Sequence, residues 1–65
     1  MTLGERFPIE QARVRELLVE YEKLGPVGIF GAAMIRQALE NADKAAVSGD
    51  VVAMLQAYEE LRGCA

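Results

Sequence analysis

Two breaks divide this chain and leave it few folds to choose from. Gly25-Pro26 is the first: glycine accepts the left-handed backbone that ends a helix, and proline cannot carry the hydrogen-bond ladder onward. Ser48-Gly49-Asp50 is the second, with Gly49 placed to end one helix and Asp50 to N-cap the next. The three stretches between the breaks share one signal, apolar residues recurring with the period of an α-helix. In the first, Phe7, Val14, Leu17, Leu18, Tyr21 and Leu24 fall on one face. Pro8 suits the first turn of a helix, where its missing N–H costs nothing, so the pattern predicts a helix over 8–24. In the second, Gly28, Gly31, Ala32, Ile35, Ala38, Leu39, Ala42, Ala45 and Ala46 form the stripe of a helix over about 27–47, starting somewhere between Pro26 and Ile29. In the third, Val51, Met54, Leu55, Tyr58 and Leu61 mark a helix over 51–62, closed by Gly63.

No alternating apolar run and no Asn-Gly hairpin signal competes with this reading. The links are short, so successive helices should fold back as antiparallel neighbours. The expectation is an all-α, three-helix bundle forming one domain over 1–65. A chain of 65 residues is too short for a Rossmann fold, a barrel or a two-domain enzyme. At that size folding buries only about 60% of the unfolded surface, so stability is marginal and a partner chain is a natural supplement. With 52% hydrophobic and 26% charged residues, the chain has enough apolar material to order itself.

The middle helix is the unusual one. From Val27 to Ile35 it is apolar all the way round, and a segment of that kind is expected to be buried on every side. One reading is that its glycines permit close packing around Phe30 and Met34. The other is a partner surface. Helix 1 carries Ile9, Ala12 and Val19 opposite its main stripe, and helix 2 carries Val27, Phe30 and Met34 beside its own. Two neighbours per helix would leave part of this uncovered, and uncovered apolar patches mark interfaces. The residues singled out for contact are Ile9, Val19, Val27, Ile29, Phe30 and Met34, with a symmetric homodimer as the simplest arrangement.

The side-chain inventory narrows the chemistry. There is no histidine, hence neither the commonest general base nor the commonest metal ligand. The single cysteine, Cys64, allows no internal disulfide and no zinc cluster, and reads as an inert thiol near the C-terminus of a protein from a reducing compartment. Thr2 and Ser48 have no base in any recognisable pattern. Glu59 and Glu60, adjacent on a helix, point about 100° apart, a poor geometry for shared acid–base work. No catalytic residue, metal ligand or cofactor site is expected. Gly28 to Gly31 is no phosphate loop, since no Lys-Ser/Thr follows. A net charge of −3, with Arg and Lys scattered among acids, disfavours nucleic acid as a partner. Met1 to Phe7 holds Glu5 and Arg6 and no apolar run, so it does not read as a signal peptide. The uncharged stretch Leu24 to Ile35 falls short of the roughly twenty residues that span a bilayer. A cytoplasmic protein is the expectation.

Two resemblances add context. Ala42 to Leu61, with its Gly49-Asp50 turn, Tyr58 and Leu61, resembles a tetratricopeptide helical hairpin, although Met54 stands where that pattern has a small residue. Such repeats need about three units for stability, and one is present. The chain as a whole, above all Leu24-Gly25-Pro26-Val27-Gly28-Ile29-Phe30-Gly31-Ala32-Ala33-Met34-Ile35 and Ser48-Gly49-Asp50-Val51-Val52, resembles small helical proteins encoded in Mu-like phages and prophages of proteobacteria. That resemblance implies an accessory phage protein that works by binding, with no catalytic residues to carry over. The expected function is therefore non-enzymatic protein–protein interaction. The alternative is a small regulatory accessory that contacts nucleic acid or a host transcription or defence protein.

Overall fold

The first helix, α1, spans Leu3–Lys23 and so begins ahead of the proline that was expected to open it. The computed structural model describes residues 1–64. Thr2 caps α1: its Oγ1 accepts from the Glu5 backbone N–H at 3.2 Å, while Glu5 Oε1 accepts from the Thr2 backbone N–H at 3.2 Å and from the Thr2 hydroxyl at 2.9 Å. This reciprocal capping box satisfies donors that a helix start leaves unpaired. Pro8 then lies inside the helix and removes one hydrogen bond, to the carbonyl of Gly4. Starting the helix earlier brings Phe7 into the core with Leu3 against it, and this burial offsets the loss.

Thr2→Ala should destabilise the domain by about 1 kcal/mol, read from urea or thermal melts. The Thr2 hydroxyl and then the Thr2 N–H hold the Glu5 carboxyl below its ordinary value of 4.5. A lowered folded pKa means a contribution that is present above that ordinary value and lost as pH falls through the lowered one. Glu5→Gln should flatten this part of the acid limb, and an unchanged acid limb in that variant would rule the capping box out as its source.

After α1, Gly25 takes a left-handed φ of 65° and a 3-10 turn runs Gly25–Gly28. The second helix, α2, spans Ile29–Ser48. Gly49, at φ 73°, ends it, and Asp50 caps α3, Val51–Arg62, by accepting from the N–H groups of Val52 and Ala53. These three α-helices, with no strand among the described residues, form an all-α bundle in which each helix packs against both others.

α2 supplies most of the core. Ala32, Ile35, Ala38, Leu39, Ala42 and Ala45 are buried, and most are small, which allows the neighbouring helices to approach closely. Phe7 and Val14 come from α1, and Ala57 and Leu61 from α3. The α3 face is rotated from the expected one. Met54, Ala57 and Leu61 point inward with Cys64 half-buried behind them, whereas Val51 and Leu55 are exposed. Leu24, expected on the α1 face, is also exposed, because the chain has already turned away there.

Polar ties cross between the helices. Arg13, which pairs with Glu10 on its own helix at 3.1 Å, also donates from Nη2 to the carbonyls of Leu61 at 2.9 Å and Cys64 at 3.2 Å, closing the end of α3 from α1. A cation there meets the carbonyl end of α3, where the Leu61 oxygen also accepts from the Cys64 N–H at 3.1 Å, and the negative end of the helix dipole. Asp43 Oδ1 on α2 accepts from Gln11 at 3.1 Å and Arg15 at 3.2 Å on α1, and Arg36 pairs with Glu22 at 3.0 Å. The contacts of Asp43 and of Arg36 with Glu22 are exposed and each adds little to stability.

Candidate functional site

Two neighbours cover only one side of α2, and the uncovered side follows from that count. Of the segment expected to be buried on every side, only Gly28, Ala32 and Ile35 are. Val27 is 88% exposed, Ile29 65%, Phe30 77% and Met34 62%. Within one chain, then, the expectation of full burial fails, and so does the reading in which the glycines pack around Phe30 and Met34. Gly28 and Gly31 face Tyr21 of α1 instead: Gly28 lies against the Tyr21 carbonyl and Gly31 against its ring. The glycines thus serve the α1–α2 contact while the large apolar residues between them point outward.

The residues singled out from the sequence do not all lie together. Ile29, Phe30 and Met34 share one end of α2, and Val27, expected as the first residue of that helix, lies in the 3-10 turn just before it, after exposed Leu24. Ile9 is exposed elsewhere, beside Arg6, Glu10 and Tyr58 where α1 faces α3. Val19 lies on α1 among Arg13, Glu16 and Glu20, a charged setting unlike the α2 end. The sequence reading also missed a second apolar group at the α2–α3 turn, where Val47 is 89% exposed and Val51, Val52 and Leu55 are exposed beside it in sequence. The spacing alone gives no signal for this, since adjacent residues such as Ala38 and Leu39 are both buried and Val51 and Leu55 fit the apolar period of α3.

The α2 end is uncharged and large. Leu24, Val27, Ile29, Phe30 and Met34 together leave on the order of 600 Å² of apolar side-chain surface in water, the top of the range for a monomer's largest patch. Charge lies at its margins, with the Arg36–Glu22 and Lys23–Glu20 pairs on one side and Glu59 and Glu60 across the groove beside Met34 on the other.

The polar groove between α2 and α3 has a different character. Its volume is about 500 Å³, with Ala45, Ala53 and Ala57 among its lining residues. Its polar groups largely engage one another or their own helices. Asn41 donates to Glu60 at 3.1 Å, Lys44 pairs with Glu40 at 3.2 Å, Ser48 donates to the Ala45 carbonyl at 2.8 Å, and Asp50 is taken up in its cap. Among the described residues no group of three or more Cys, Asp and Glu side chains is placed to hold a metal ion. The Cys64 thiol is pushed above its ordinary value of 9.0 by burial, with Arg13 working against the rise and Glu60 adding to it. It is therefore a protonated, weakly nucleophilic thiol at neutral pH. Among the described residues no helix is long and apolar enough to cross a membrane. No family model, curated protein or solved structure matches the chain.

Proposed function

We propose that this chain is a non-enzymatic interaction protein that pairs with a second copy of itself through the N-terminal end of α2. The observation that carries the reading is the exposure of Val27, Ile29, Phe30 and Met34 on one uncharged surface. Its area favours a second copy: about 600 Å² of apolar surface forms most of the roughly 800 Å² that each partner contributes to a stable interface. Its lack of charge also matters, because a two-fold contact sets a surface against itself, and like charges would then oppose each other. Aromatic and methionine side chains at the centre, with ion pairs at the margin, match the anatomy of such interfaces. In the setting implied by the phage resemblance, the dimer is a binding accessory. At micromolar concentration the wild type should sediment with the mass of a dimer and Phe30→Glu with that of a monomer, both with the same helical circular dichroism. A wild type that is monomeric, with a mass unchanged in the variant, defeats the reading.

A further inference from the structure

The exposed patch has an apolar groove beside it. The groove runs between α2 and the end of α3, has a volume of about 340 Å³, and is lined by Tyr21, Gly31, Met34, Ala38 and Cys64, with Glu59 and Glu60 as its charged residues. At 100° per residue, Met34 lies about 40° round the helix from Phe30, Ala38 about 80° and Gly31 about 100°. A projecting ring and a recess thus occupy adjacent sectors of one surface, and Met34 belongs to both. A two-fold axis passing near Met34 exchanges them, so that each copy's ring lies over the other's recess. Room is sufficient, since a cavity of about 150 Å³ already holds a benzene ring.

We propose that Phe30 of each copy seats in the α2–α3 groove of the second copy, with Met34 against Met34 between them. This rests on the self-association reading and adds to it which residue is the anchor and where it goes. Ile29 lies about 100° from Phe30 on the side away from the groove, so it belongs to the margin of the contact.

The test uses the wild-type chain, half of it carbon-13 labelled, in isotope-filtered NOE measurements at a concentration where the dimer is populated. Cross-peaks between the Phe30 ring and the methyl groups of Ala38 and Met34 of the other copy are the expected result. Sedimentation of two variants gives the energetic arm. Phe30→Ala should weaken the dimer about thirtyfold or more, as loss of a buried anchor does, and Ile29→Ala less than about fivefold. A dimer in which Phe30 contacts only Val27 or Ile29 of its partner, or in which the two variants lose affinity equally, overturns the seating and leaves self-association standing. A wild type that stays monomeric overturns both.

Discussion

Gly28→Ala should cost this domain most of its stability. A Cβ at position 28 would overlap the carbonyl oxygen of Tyr21 and come within 3.0 Å of Leu24 Cβ. The first of these is backbone in the last turn of α1, and no rotamer change relieves it. The φ of Gly28 is −92°, so what glycine supplies here is space, not a left-handed backbone. Two other glycines separate the effects. Gly25 has φ 65° and nothing within 4 Å of an added Cβ, so Gly25→Ala carries only the strain of a left-handed residue, about 1–2 kcal/mol. At Gly31 the added atom would lie 2.5 Å from Cε2 and 2.6 Å from Cδ2 of the half-buried Tyr21 ring, a side chain and not backbone, so the ring must shift against the core. Overpacking costs about 1–3 kcal/mol where the surroundings give, and more where they cannot. A core of this size supplies only about 3–5 kcal/mol in total. Urea melts of the three variants should therefore rank Gly28→Ala worst, close to unfolded in water. A Gly28→Ala midpoint at or above that of Gly25→Ala would disprove the close approach between the 3-10 turn and α1.

The contrast among these glycines shows what could be read in advance. Gly25 and Gly49 are legible because their task is local: the next residue, proline in one case and a capping aspartate in the other, announces the turn. Both breaks, the α3 bounds and the alanine stripe of α2 follow from such neighbour-scale signals. Gly28 is different, since its partner is the Tyr21 carbonyl across the turn, and nothing in the local spacing names that atom. The start of α1 was legible and misread. Thr2-Leu3-Gly4-Glu5 is a capping-box pattern, but Pro8 is the louder start signal, and only the burial of Phe7 decides between them. The bonds from Arg13 to the end of α3 bridge residues 48 and 51 apart and leave no mark on helical periodicity. At the candidate site, the excess of apolar residues on α2 was readable as composition. Which of them face outward was not, because periodicity gives the width of a stripe but not where the neighbouring helices leave off.

The two phenylalanines of the chain turn that last distinction into a measurement. Phe7 is 2% exposed within the core and Phe30 is 77% exposed on the proposed interface, so the same truncation should act on different equilibria. Phe7→Ala removes a buried ring and leaves a cavity, at a cost of about 3–5 kcal/mol. That equals the whole expected stability of a domain this small, so the variant should be largely unfolded at every concentration. Phe30→Ala removes no intrachain packing of consequence. The diluted monomer should keep its melting temperature, within the roughly 0.5 kcal/mol typical of surface changes. Concentration is where Phe30 matters. Association that favours the folded state raises the melting temperature by mass action, so the wild type should melt higher at 100 times the dilute concentration, a gain of about 1 kcal/mol per protomer if its dissociation constant equals the dilute concentration. Phe30→Ala should lose this dependence while retaining the dilute value. Melts that depend on concentration equally in wild type and Phe30→Ala would move the interface away from α2. Melts of the wild type that do not depend on it at all would leave the α2 end exposed on a lone subunit and remove the reason for assigning it a second copy.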